Sequence, residues 1–180
     1  NLVNAAVVMM SFSNTPANRL LGGWCFIMVI ATTIMLVGYF SLRKGRRARE
    51  MGSAEERTKA GIERFARFAS FLGMLWGILP LLIIPLTDPT NQLAVTSIVA
   101  GVMFAGVLLV GRIPEAAVGF LVPTVIGYIV GLQLGQDPRN DFLSVLAFVY
   151  AVVLYASSRW SFAQFVEQHL SSTAVKQQAQ

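Results

Sequence analysis

The sequence predicts an all-α integral membrane protein of about six transmembrane helices with a cytoplasmic C-terminus. Two features of the chain lead there. Of its 180 residues, 55% are hydrophobic and only 13% charged, which leaves far more apolar surface than a soluble chain of this length can bury. Several apolar runs also approach the roughly 20 helical residues that a bilayer core of about 30 Å requires. Orientation comes from the basic residues. When the runs are threaded through a bilayer in order, every Lys and Arg except Arg19 and Arg139 falls on one side, and that side is the cytoplasm.

The elements follow in order. Leu2 to Phe12 is a short first span, expected to begin within or just before the membrane, and it lacks the basic start of a cleaved signal peptide. Ser13 to Asn18 are turn formers. Leu20 to Leu42 is a second span with Trp24 near the outer interface, Tyr39 near the inner one and a basic stop at Arg43. Residues 43–67 form a long basic cytoplasmic connection. Within it Ser53 and Glu56 read as a capping box starting a helix at Ala54 that runs on into the membrane. Glu55 with Lys59 and Glu63 with Arg67 are spaced i,i+4 as ion pairs.

The third span, Phe68 to Leu86, contains Trp76, Pro80 and Pro85, and the prolines predict a kink in its outer half. Thr87 to Gln92 is a short turn, Leu93 to Gly111 is the fourth span, and Pro114 with Glu115 suits the first turn of the fifth. The fifth span, Ala116 to Leu134, places Gly119, Pro123, Gly127, Gly131 and Gly135 at intervals of four. One face therefore lacks bulk and lets a partner helix approach, as do Gly73 and Gly77. Trp76, Pro80, Gly119, Pro123, Gly127 and Gly131 are thus the candidate packing or ligand face. Gln136 to Asp141 turn the chain into the sixth span, Phe142 to Ser158, which ends inside at Arg159. Residues 1–159 make the membrane domain and residues 160–180 a cytoplasmic linker helix.

Catalytic chemistry is sparse. Ionised groups survive inside lipid mainly where they work, and the spans hold almost none. Glu115 reads as a helix N-terminal charge or a partner of Arg112. Cys25 is the only cysteine and His169 the only histidine, so no disulfide, thiolate cluster or paired-histidine haem site arises within one chain. No nucleophile–base pair, zinc spacing or phosphate-cradling glycine loop is present. Residues 1–180 are therefore expected not to be an enzyme and to carry no cofactor, and the basic residues, clustered beside spans, imply no nucleic acid. Thr32, Thr33, Thr96, Ser97, Thr124 and Gln133 are expected to bond backbone carbonyls or neighbouring helices, and Tyr128, Tyr150 and Tyr155 to pack or anchor at the interface.

Beyond Arg159 the chain turns mixed polar, and Ala163, Val166, Leu170, Thr173 and Gln177 follow a 3,4 spacing that fits a weak two-helix seam or, alternatively, an amphipathic helix at the membrane interface. Four stretches carry a resemblance: Asn1 to Ala5; Trp24 onward to Arg43; Phe71, Leu72, Gly73, Met74, Leu75, Trp76, Gly77, Ile78, Leu79, Pro80; and Pro114 to Pro123. In them the chain resembles the N-terminal polytopic membrane sensory region of bacterial GGDEF/EAL (cyclic di-GMP) signalling proteins and related membrane histidine kinases. The resemblance implies a multi-pass protein of the bacterial inner (cytoplasmic) membrane, a homodimer, and a cytoplasmic cyclase, phosphodiesterase or kinase joined through the helix after Arg159. The function expected is a sensory input module, with Arg159, Val166 and Leu170 as its signal linker and an apolar ligand or a membrane protein as its stimulus. Two other classes fit the composition: an accessory subunit of a larger membrane complex, and a small transporter of an apolar substrate.

Overall fold

The computed structural model describes residues 18–45, 54–111, 113–135 and 137–178, and these are helical with short connections. The helices are α1 (Asn18–Gly45), α2 (Ala54–Ile83), α3 (Pro89–Val110), α4 (Pro114–Leu134) and α5 (Asn140–Gln178), with a single 3₁₀ turn at Ile84–Leu86 after α2. Among the described residues four stretches are long and apolar enough to cross a bilayer: Lys59–Leu86, Asn91–Val110, Pro114–Leu134 and Asn140–Gln164. The shorter apolar stretch Arg19–Met35 lies in α1. The first expected span and the capping box at Ser53 lie outside the described residues.

The surface explains why these helices need lipid. Phe26 and Ile34 on α1, Leu108 and Leu109 on α3, and Phe142, Val145, Phe148 and Val153 on α5 are all exposed. In water such contiguous apolar area would be an aggregation surface. In hydrocarbon it costs nothing, and helices that are apolar all round are the expected solution. The protein is accordingly a multi-pass helical membrane protein.

Local chemistry sets the helix ends. Asp88 caps α3 by accepting from the Asn91 backbone N–H at 2.9 Å, with Pro89 in the first turn where a missing N–H costs nothing. Pro114 plays the same part in α4, followed by Glu115 in the first turn. At the other end of α4 the Gly135 N–H returns to the carbonyls of Gly131 and Leu132. The helix from Ala54 runs without interruption into the membrane stretch, past Pro80 to Ile83. The backbone changes character only at Ile84, where Pro85 sits in the 3₁₀ turn. The departure from α-helix thus falls one turn later than Pro80 alone suggests.

Helix α4 is the centre of the bundle. Ala116, Phe120, Leu121, Thr124, Tyr128 and Leu132 are buried around it, against α2 on one side and α3 and α5 on others. Trp24, Met28 and Ala31 seat α1 on the outside of this core.

Candidate functional site

Glycine placement dictates the closest contact in the molecule, between α2 and α4. A Cβ added at Gly73 would collide with the backbone of Phe120, one at Gly77 with the Pro123 carbonyl, and one at Gly127 with the backbone of Gly77. At Gly131 it would lie 2.6 Å from the Pro80 carbonyl oxygen. Each proline of the pair therefore lies opposite a glycine of the other helix. Thr124 stitches the seam, its Oγ1 donating to Gly73 O at 3.1 Å and to Phe120 O at 2.8 Å. Both acceptors are carbonyls, so the single hydroxyl proton is shared between them in a setting without water.

The sequence-derived face is thus brought together as a helix-to-helix seam. Gly119, Pro123, Gly127 and Gly131 meet α2, with Gly119 facing Ser70 and Ala66. Gly135 does not belong to it, because its side-chain direction meets the Asn140 amide instead. Pro80 is buried at the seam, and Trp76 is fully buried beside it.

Trp24 corrects its sequence reading. It is buried rather than at an interfacial belt, donating through Nε1 to Leu75 O at 2.7 Å and meeting Trp76 edge to face. A buried indole N–H needs an acceptor, and the one in reach is a carbonyl of α2. The expected Glu63–Arg67 ion pair is also replaced, since Arg67 Nε points at the Glu63 backbone carbonyl, 3.4 Å away. Arg112, Glu55 and Tyr39 lie outside the described side chains.

The polar residues expected to bond within the bundle do so. Thr32, Thr33, Thr96 and Ser97 each donate to the carbonyl four residues earlier. Gln133 Nε2 donates to Asp141 Oδ1 at 3.1 Å and Ser144 Oγ at 3.2 Å, across the α4–α5 turn.

Between α3 and α5 the helices diverge and leave an open cleft of about 240 Å³, lined chiefly by Thr96, Ala100, Met103, Tyr128, Leu146 and Tyr150. Its floor is tied by two phenols. Tyr128 donates to Thr96 Oγ1 at 2.8 Å, and Tyr150 donates to Ala100 O at 3.2 Å. A smaller depression of about 130 Å³, at the start of α3 and α5, is lined by Gln92, Leu93, Asp137, Arg139, Asn140 and Leu143 among others. Leu143 belongs to both.

Asp137 and Arg139 form a closed pair at this end. Arg139 donates to Asp137 Oδ1 from its backbone N–H at 2.9 Å and from Nε at 3.1 Å, and to Oδ2 from Nη2 at 3.0 Å. The side-chain hydrogen bonds from Arg139, then its backbone N–H and its charge, hold the Asp137 carboxyl below the usual carboxylate range.

The opposite end of the bundle gathers Lys59, Arg64, Arg67 and Arg159. Gly119 near the start of α4 faces Ser70 and Ala66, and Ser158 Oγ on α5 donates to Gly111 O at 3.1 Å at the α3–α4 junction. Lys59, Arg64 and Arg67 in the N-terminal part of α2 and Arg159 after Ser158 therefore share one end, all exposed. Among the described residues of α5 beyond Ser158, Phe162 is half-buried and the others are exposed. Val166 and Leu170 lie on α5, but their side chains are outside the described set.

Among the described residues no group of three or more His, Cys, Asp or Glu could hold a metal ion. Compared with protein-family models, curated proteins and solved structures, the chain gives no match. Among the described residues, fold and site define a helical membrane bundle with a tight internal seam between α2 and α4 and a lateral cleft between α3 and α5.

Proposed function

We propose that this chain is a membrane-embedded input module of the bacterial cytoplasmic membrane, with six spans and a cytoplasmic C-terminus. It passes a signal along α5 to a cytoplasmic effector of cyclic di-GMP signalling, and it works as a homodimer. The observation that carries this reading is the length of α5. It is one unbroken helix of 39 residues, of which Asn140–Gln164 suffices to cross a bilayer. A helix rises about 1.5 Å per residue, so residues 165–178 continue α5 about 20 Å past that stretch. The sharing of one end by Lys59, Arg64, Arg67 and Arg159 supports placing that end in the cytoplasm.

A helix held to the bundle at Ser158 and continuing past it converts a small shift of α5 against α3 and α4 into movement at its far end. Such a shift follows a stimulus only if the stimulus binds the two packings with different affinity. The test uses the natively expressed protein. Peptide mapping past Gln180 finds a cytoplasmic effector domain, and its activity varies periodically as one to seven alanines are inserted after Gln164. Each inserted residue turns the distal part by about 100°. A chain with no effector, or an output indifferent to helical phase, sinks the reading and leaves a transporter or an accessory subunit.

A further inference from the structure

The lateral cleft and the polar depression adjoin at Leu143, which lines both, and together they form a groove. Their lining residues recur at helical spacing along both walls: Gln92, Thr96, Ala100 and Met103 on α3, and Leu143, Ala147 and Tyr150 on α5. From Pro89 to Met103 is 14 residues and from Arg139 to Tyr150 is 11, so at about 1.5 Å per residue the groove is roughly 17–21 Å long. One leaflet of a bilayer with a hydrocarbon core of about 30 Å is roughly 15 Å deep. The groove spans a headgroup and the chain beneath it.

We propose that this groove is a binding site for a bilayer phospholipid, one acyl chain lying between α3 and α5 and the phosphate held by Arg139. Three observations select that occupant. The inner part of the groove is apolar, and its two phenols are already satisfied by Thr96 and Ala100. It therefore asks for hydrocarbon rather than for a polar solute. The mouth lies between the membrane stretches Pro114–Leu134 and Asn140–Gln164, at headgroup depth whichever way the chain crosses. There the Arg139 side chain, held through Nε and Nη2 by Asp137, remains 71% exposed, so its remaining N–H donors are open to a phosphate oxygen. At the same mouth Asn140 is 3% exposed, and its Oδ1 has no hydrogen-bond partner although Nδ2 is bound to Leu132 O at 2.8 Å. An orphaned buried acceptor is costly, and a phospholipid headgroup with a hydroxyl or ammonium donor supplies what it lacks.

The groove differs from the rest of the lipid-facing surface by being concave and carrying the Asp137–Arg139 ion pair at one end, and labelling can read that difference. The whole chain is reconstituted in phosphatidylcholine vesicles containing a little phosphatidylglycerol with a diazirine midway along one acyl chain, then irradiated and mapped by peptide mass spectrometry. Adducts are expected to concentrate on Thr96, Met103, Leu146 and their neighbours, and unlabelled phosphatidylglycerol displaces them. Ala100→Leu, which fills the groove, lowers them several-fold while labelling of Phe26 and Ile34 on α1 is unchanged. Arg139→Gln lowers them as well, and a diazirine diacylglycerol, lacking phosphate, labels the groove weakly. Labelling spread over α1 and the outer face of α5 in proportion to exposure overturns the proposal, and the unmodified chain alone gives that answer. Equal labelling by diacylglycerol overturns it too.

Discussion

Trp24 and Trp76 meet edge to face, their ring centroids 5.1 Å apart and their planes at 73°, and only one of the two indoles has found an acceptor. Trp24 Nε1 donates to Leu75 O, whereas Trp76 Nε1 is buried without a partner. The pair is what fastens α1 to α2, and the asymmetry has opposite consequences for the two residues. Replacing Trp24 by Phe removes a donor and leaves the Leu75 carbonyl with one bond fewer in a dry environment. Replacing Trp76 by Phe removes an orphan.

Trp24→Phe is therefore expected to lower thermal stability in detergent, by about 1 kcal/mol for the lost hydrogen bond. Trp76→Phe is expected to cost less than that despite removing a fully buried ring system. Paired melting curves followed by helix signal decide it, and a larger loss for Trp76→Phe would show that ring volume outweighs the missing acceptor.

The α2–α4 seam gives a graded series. A side chain at Gly127 would meet only Gly77 backbone, one at Gly119 would first meet the movable Ser70 hydroxyl, and one at Gly101 would meet nothing within 4 Å. Gly127→Ala should then cost the 1–3 kcal/mol typical of overpacking, Gly119→Ala less, and Gly101→Ala nothing or a slight gain from helix propensity. Gly127→Leu should prevent the two helices from closing. Stability of the four variants in one detergent measures the order, and an indifferent Gly127→Ala contradicts the backbone contact.

Much of this seam was legible, because glycines at intervals of four leave a trace in a single helix that needs no knowledge of the partner. Gly119, Gly127 and Gly131 were visible for that reason. The partner was partly visible too, in Gly73 and Gly77. The place of Trp24 was not, since an aromatic near a span end has the same sequence signature whether it faces headgroups or a neighbouring helix. Residues that matter through a single long-range bond, such as Ser158 to Gly111 and Asn140 to Leu132, carry no periodic signal. Gln92 and Asn140 sit in what reads as loop, and only the turn of the chain at Ile84 and Gly135 reveals them as buried.

Tyr128 offers a clean deletion. Its hydroxyl donates to Thr96 Oγ1, and Thr96 donates in turn to Gln92 O. Tyr128→Phe leaves Thr96 still bonded and orphans no donor. The expected loss is that of an average interhelical hydrogen bond in a membrane protein, about 0.6 kcal/mol, and Thr96→Val combined with it should add less than its own single cost. A double-mutant cycle reads the coupling directly, and strict additivity would mean that the two groups do not interact.

The Asp137–Arg139 pair makes a prediction about pH with a definite sign. Hydrogen bonds from Arg139 depress the folded-state pKa of Asp137 below its ordinary value of about 3.9. A carboxyl depressed on folding stabilises the folded state above its unfolded pKa, and that contribution disappears as pH falls through the lower, folded value. The turn between α4 and α5 should therefore hold its geometry unchanged from neutral pH down to about pH 4 and loosen only below it. Asp137→Asn removes the charge at every pH, so the difference in melting temperature between it and the native chain should be flat above about pH 5 and vanish in strong acid. A carboxyl carbon resonance of Asp137 titrating at or above the ordinary aspartate value, in bilayers with Arg139 intact, would show the pair to be open and would leave the Arg139 guanidinium unfixed.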